Sequence, residues 1–302
     1  MNTIEPLVRG SGFHPYSRIT RILSLIVSSS IVVSMTGSMV LLLSFVLYGV
    51  QVDTLLLVAA FALTFALYNL DRAIKQKEDL VNDPDRSRLF IGRRRTWAIV
   101  GVASLTVTAA LGAGEGLSVL LTLLSPLVIY AAYSIGLPLI PRLKDIPGVK
   151  NVVLVATWAV LANVLPNLRK VGPLGEKGLL LALLIFYFIF TKMMINSILF
   201  DVRDVRGDSV SGIRTLPVIL GVSRVRRLLH VLNATLILWV ALCWLLGSFL
   251  QYLPVLAASI IYGFWYIHFF TKDSQERILV DLLVDGEWIP LSLATTLVYV
   301  LT

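Results

Sequence analysis

The chain has 302 residues, of which 57% are hydrophobic and 15% charged. Soluble domains carry roughly 25% charged residues, and a mean hydropathy of +0.85 marks an integral membrane protein before any segment is drawn. The net charge of +8 fits cytoplasmic loops and an anionic lipid or substrate, and does not call for nucleic acid. The single cysteine, Cys243, sits in an apolar run. That excludes a disulfide framework or a cysteine-based metal site.

Residues 1–21 read as a basic, polar N-terminal segment. Glu5, Arg9, His14 and Arg18 interrupt its apolar patches. No cleavable signal stands out, so the first long apolar segment is expected to stay as a span. Nine apolar segments follow, near 22–49, 53–70, 97–113, 116–136, 150–166, 179–200, 228–247, 252–270 and 287–301. Each is long enough, or nearly so, to cross a bilayer core, which needs about 20 helical residues. Pro126 predicts a kink in the fourth. The runs lack the two-residue alternation of a barrel strand, so helices are expected throughout. The fold expected is a single all-α domain over 1–302, a bundle of nine transmembrane helices.

Charge sidedness supports this map. Of the 26 basic residues, Arg169, Lys170 and Lys177 fall on one side and Lys192 lies within the sixth segment. The other 22 fall on the side of the N-terminus. The positive-inside rule then places the N-terminus in the cytoplasm and the C-terminus outside. Fifteen of the 18 acidic residues also fall on the cytoplasmic side, the exceptions being Asp53, Glu115 and Glu176. Acidic residues contribute little to topology, so a face rich in both signs reads as a site.

Two stretches concentrate those charges. The sixth segment runs into Asp201-Val-Arg203-Asp204-Val-Arg206-Gly207-Asp208. If the helix continues, the i, i+3, i+7 spacing puts all three carboxylates on one face. Like charges that close require a cation among them, and a hard divalent ion prefers such oxygens. The alternative is a solvated turn that stops a membrane helix. The second segment ends in Asn69-Leu70-Asp71-Arg72, followed by Lys75, Glu78, Asp79, Asp83, Asp85 and Arg86. Taken alone, that stretch also fits a mixed-charge loop with internal salt bridges. The third cytoplasmic loop carries Tyr130, Tyr133, Lys144 and Lys150. Tyr130 fits an aromatic interface belt, and the lysines fit an anion. Lys192 is either a snorkelling residue or an intramembrane functional charge. The three histidines show no metal-ligand spacing, and no GxSxG or Walker A pattern occurs.

Two acidic clusters with interleaved basic residues, at one end of an apolar bundle, suit a lipid-tailed diphosphate. The layout resembles the UbiA superfamily of intramembrane prenyltransferases. Asp204-x-x-x-Asp208, followed by Gly212, Thr215 and Pro217, is similar to that family's D-x-x-x-D motif and its downstream element. Asp71-Arg72 matches the central pair of its first motif, N-D-x-x-D-x-x-x-D. Leu67 and Lys75 stand where the family has Asn and the last Asp. Asn69, with Glu78 and Asp79, would then take those roles in a shifted register.

The resemblance implies Mg2+-dependent transfer of a prenyl group from an isoprenoid diphosphate to a lipophilic acceptor. That acceptor is either an aromatic quinone precursor or a glycerol phosphate ether lipid. The cavity would be central, apolar and open to the cytoplasmic face. The implied metal ligands are Asn69, Asp71, Asp79, Asp201, Asp204 and Asp208. Arg72, Lys75, Arg86, Tyr133, Lys144 and Lys150 are the implied diphosphate contacts, with Lys192 alongside Asp71, Asp204 and Asp208 in the catalytic set. Two other classes compete. A CDP-alcohol phosphotransferase needs a D-G-x-x-A-R element, which Asp285-Gly286-Glu287-Trp288 does not supply. A multi-pass ion or solute transporter predicts polar groups running through to the outer side, which is nearly free of charge here.

Overall fold

An apolar segment in lipid must satisfy its own backbone, and the helix is the local solution. The computed structural model describes residues 29–73, 94–134, 146, 148–169, 176–271 and 277–302. Every regular element among them is helical. In order these are α1 (Ile31–Tyr48), α2 (Thr54–Ala73), α3 (Arg94–Gly114), α4 (Leu117–Ser134), α5 (Val149–Asn167) and α6 (Glu176–Val210). There follow α7 (Leu216–Leu220), α8 (Val222–Leu245), α9 (Leu253–Phe270), α10 (Arg277–Val284), a 3-10 turn (Asp285–Glu287) and α11 (Trp288–Leu301). Seven helices are long and apolar enough to cross a membrane: α1, α2, α3, α5, α6, α8 and α9. The Leu117–Tyr130 stretch of α4 is apolar as well, and the helix carries Pro126 inside it.

The outward faces are apolar. Leu117, Val128, Leu238 and Ile261 are all exposed, as suits helices whose surroundings are acyl chains. Many buried hydroxyls instead turn back onto their own helix. Ser34 Oγ donates to the Ser30 carbonyl at 2.7 Å, and Thr64 Oγ1 to that of Ala60 at 2.8 Å. A hydroxyl so engaged needs no partner from lipid. Gly37 lets α1 approach α2 closely, since a Cβ there would stand 2.3 Å from Thr64 Oγ1.

The apolar run of the sixth segment ends near residue 200, and α6 itself goes on through the charged stretch to Val210, so the continuing helix and not the solvated turn is the alternative realised. It ends only at Gly212, whose φ of 73° is in the left-handed region. There the Ile213 amide donates to the Asp208 carbonyl at 2.8 Å, a hydrogen bond typical of a glycine-terminated helix. Asp201, Asp204 and Asp208 therefore all lie on helix.

Short connections at one end of the bundle meet in an ion triad. Arg169, just past α5, pairs with Asp53 and with Glu115. Asp53 also caps α2, accepting from the amides of Leu55 and Leu56 at 3.0 and 3.1 Å. The hydrogen bond to Glu115, foremost, raises the pKa of Arg169 above its ordinary value, so the guanidinium stays charged. The carboxylates that the charge map put on one side thus share a partner from the same side.

Replacing Arg169 with alanine leaves those carboxylates without their shared cation. Because the site is partly exposed, the expected cost is about 1–2 kcal/mol. A lowered unfolding midpoint in detergent would show it, and an unchanged midpoint would contradict the clamp.

Candidate active-site cavity

At the opposite end, α1, α2, α5, α6 and the α10–α11 segment enclose a cavity of about 270 Å³. Its polarity is graded. Lys150, Asp201, Arg203, Asp281 and Asp285 cluster toward one end of the lining helices. Val40, Leu161, Ala162, Met193 and Trp288 supply apolar wall farther along them. A second cavity of about 160 Å³ lies between α2, α4 and α5, and Asp71 and Tyr130 line it. Tyr68, Leu154 and Trp158 line both, so those three side chains form the partition.

The α6 carboxylates are held individually. Asp201, 6% exposed, pairs with Lys150 at 2.5 Å and accepts from Asn151 Nδ2 at 3.0 Å. Lys150 and Asn151 come from the first turn of α5, whose start after Gly148 aims them at α6. Asp204 accepts from Arg203 Nε at 3.1 Å and from Nη2 at 2.9 Å. Arg203 also pairs with Asp281 of α10 and lies 4.8 Å from the centroid of the Phe200 ring. Asp208 is buried one turn farther on.

Among the described residues no group of three or more acidic, His or Cys side chains is already arranged to hold a metal ion. The donor set is nonetheless all oxygen, which suits a hard divalent ion. Magnesium is usually held by one or two carboxylates plus substrate phosphates. Asn151 adds a specific sign. Its Nδ2 is used by Asp201 and by Ser197 Oγ, while its Oδ1 is buried without a hydrogen bond. An acceptor oxygen is left over beside the carboxylate.

Both acidic stretches are only partly brought to the cavities: of the three α6 carboxylates, Asp201 is in the lining and Asp204 and Asp208 are not. Asp71 accepts from the Tyr130 hydroxyl at 3.0 Å, so Tyr130 is turned inward and serves Asp71. Asn69 lines neither cavity. It stands two residues from Asp71, about 160° around the helix, and its Nδ2 donates to the Phe65 carbonyl at 2.7 Å. Lys75, Asp79, Arg86 and Lys144 lie outside the described residues, as do the side chains of Arg72 and Tyr133.

Lys192 does not snorkel. It is fully buried, pairs with Glu287 at 2.7 Å and donates to the Ser259 carbonyl at 3.1 Å. Its Nζ lies 5.2 Å from the centre of the Tyr266 ring. The Tyr266 hydroxyl sits 3.2 Å from both Asn196 Oδ1 and Glu287 Oε1. This network lies behind the cavity wall, and only Asn196 of its members reaches the lining. Asn196 Nδ2 in turn holds the Val284 carbonyl at 3.1 Å. The network thereby fastens the end of α10 to α6.

Arg203, Asn151, Asp281, Asp285 and Glu287 belong to the site region but not to the expected set. A signal existed for two of them. Asp281 and Asp285 are four residues apart in the last acidic run before α11, which suits one helix face.

The chain belongs to the UbiA prenyltransferase family, whose profile matches residues 76–280. It is similar in fold to a UbiA homolog from Archaeoglobus fulgidus bound to GPP and Mg2+. The TM-score is 0.63 at 18% identity, over 89% of this chain and 98% of that one. The same homolog bound to DMAPP and Mg2+ gives 0.61 at 18% identity, over 92% and 99%. A digeranylgeranylglyceryl phosphate synthase gives 0.57 at 13% identity, over 93% and 98%. At these identities the likeness is one of fold. No curated protein sequence matches the chain.

Lys192→Met strands Glu287 as a buried charge and should cost about 3–5 kcal/mol, whereas removing both charges in Lys192→Met/Glu287→Gln should recover much of that loss. Thermal unfolding in one detergent compares them. A double variant no more stable than Lys192→Met would contradict the pair.

Proposed function

We propose that the protein transfers a prenyl group from an isoprenoid diphosphate to a lipophilic acceptor within the membrane. One observation carries the reading: a cavity with carboxylates and cations at one end and an apolar remainder, in a chain of this family. The relatives bound to GPP or DMAPP with Mg2+ support the donor class and the metal. The digeranylgeranylglyceryl phosphate synthase supports a glycerol phosphate ether lipid as acceptor. An aromatic quinone precursor is the other acceptor class.

Asp201, Asp204 and Asp208 would hold magnesium from α6, with Asp71 holding a second ion across the partition. Magnesium, when bound, supplies positive charge to the diphosphate oxygens. Lys150 and Arg203 offer the diphosphate cationic donors, Arg203 as a planar fork. The apolar walls take the tail and keep water from the allylic carbon as its bond to oxygen breaks. The acceptor's electron pair then forms the new bond, the proton the acceptor gives up goes to the released diphosphate, and the diphosphate leaves from the polar end. Lys192 acts from behind, by fixing α10 and α11 against α6.

In this reading residues 1–302 form one domain of nine spans, with α4 and α11 added to the seven. The polar end, residues 1–21 and the N-terminus face the cytoplasm of a cell membrane, and the C-terminus lies outside.

Asp204→Asn and Asp208→Asn should each lower magnesium-dependent binding of a prenyl diphosphate at least tenfold, since each removes a hard oxygen ligand. Isothermal titration on the purified protein measures this. Unchanged binding in both would overturn the metal role. A reporter fused after Thr302 should signal from outside, and a cytoplasmic signal would break the nine-span arrangement.

A further inference from the structure

Asp281 lies outside the acidic motif of α6, which ends 73 residues earlier at Asp208. The fold brings it there. Its helix, α10, and the turn that follows are held in place by three contacts from different elements. Asn196 Nδ2 holds the Val284 carbonyl at 3.1 Å, the Tyr262 hydroxyl holds that of Leu283 at 2.9 Å, and Thr36 Oγ1 holds that of Asp285 at 3.0 Å. Immediately beyond, the Lys192–Glu287 pair fixes the turn into α11. Asp281 therefore faces Arg203 from a braced position.

Arg203 is shared. Nε and Nη2 grip the two oxygens of Asp204, and Nη1 reaches Asp281. Neighbouring residues on a helix point about 100° apart, so Arg203 covers Asp204 only by curling back along its own helix. A divalent cation at Asp204 would compete with that grip, because two cations cannot share one carboxylate without repulsion. Arg203 must then move its charge elsewhere. The side chain is only 14% exposed, and leaving a largely buried guanidinium without an anion is costly. A carboxylate already in contact, on a different helix, removes that cost.

We propose that Asp281 is a positioning residue for the acidic end of α6. It retains Arg203 when a divalent cation takes Asp204, and so keeps Asp204 available as a ligand. The inference rests on the function proposed above and adds a residue outside both acidic motifs. It also gives Arg203 a second position, held by Asp281 at the cavity lining, where a diphosphate would meet it. Without Asp281 the guanidinium has Asp204 as its nearest remaining partner, and the metal ligand is masked.

The test uses Mn2+ as a paramagnetic probe on the full chain in detergent, with free ion read by electron paramagnetic resonance. Asp281→Asn should weaken Mn2+ binding about tenfold, within the usual range of coupling between contacting residues. Asp281→Glu should restore most of the affinity. In an Arg203→Met background, or Arg203→Gln if that variant purifies better, Asp281→Asn should change affinity less than twofold. Wild-type affinity in Asp281→Asn would overturn the inference. So would an undiminished loss in the background lacking Arg203, because Asp281 would then act by its own charge. A wild-type protein that takes up no Mn2+ would overturn the reading of the acidic helix itself, and this inference with it.

Discussion

A charge carried into an apolar bundle has to meet its opposite inside the bundle, because lipid offers no hydration. That constraint orders this structure. Arg169 answers Asp53 and Glu115 where three connections meet at one end. Lys192 answers Glu287 in the interior. Lys150 answers Asp201, and Arg203 answers Asp204 and Asp281, at the other end. Apart from Arg203–Asp204, which are neighbours on α6, each of these links joins different elements, so the pairs fix which helices are neighbours as well as neutralising charge. Buried pairs of this kind are weak sources of net stability, yet costly to break by half. They therefore act more as constraints on arrangement than as its driving force.

The cavity follows from the same constraint. The Lys192 network braces α10 and α11 against α6, and α10 then delivers Asp281 and Asp285 to the polar end. The interdigitated apolar side chains of α5, α6, α8, α9 and α10, among them Ile195, Leu199, Leu229 and Ile267, back the other face of α6. One face of the helix is thus committed to packing, and the other is free to carry chemistry. Gly37 opposite Thr64 draws α1 against α2 and closes the remaining wall. An amphiphilic substrate with a charged head and an apolar tail matches that gradient.

Much of the helix pattern was legible because it depends on local quantities. Long apolar runs give spans, and Gly212 with Pro217 gives the break after α6. The end of α6 stayed open because its last turns are charged, and charge fits a solvated stop as well as a continuing helix. In the structure Lys150, Asn151, Arg203 and Asp281 provide the partners that let those turns continue. Periodicity shows which face of a helix a residue shares, but not which helix stands opposite. The pairing of Lys192 with Glu287, 95 residues on, was therefore out of the sequence's reach. Tyr130 looked like an interface residue for the same reason, since only the packing of α4 on α2 brings it to Asp71. Asn69 and Asp71 are close in sequence, yet a two-residue step turns them to different faces.

The central claim is that this graded cavity performs prenyl transfer, and product formation addresses it most directly. Purified protein would receive prenyl diphosphates of several tail lengths, with aromatic and glycerol phosphate acceptors, in the presence and absence of magnesium, with products read by mass spectrometry. The account predicts a prenylated acceptor and released diphosphate, both lost on chelation. Intact donor in every combination, with correctly folded protein and magnesium present, would contradict it.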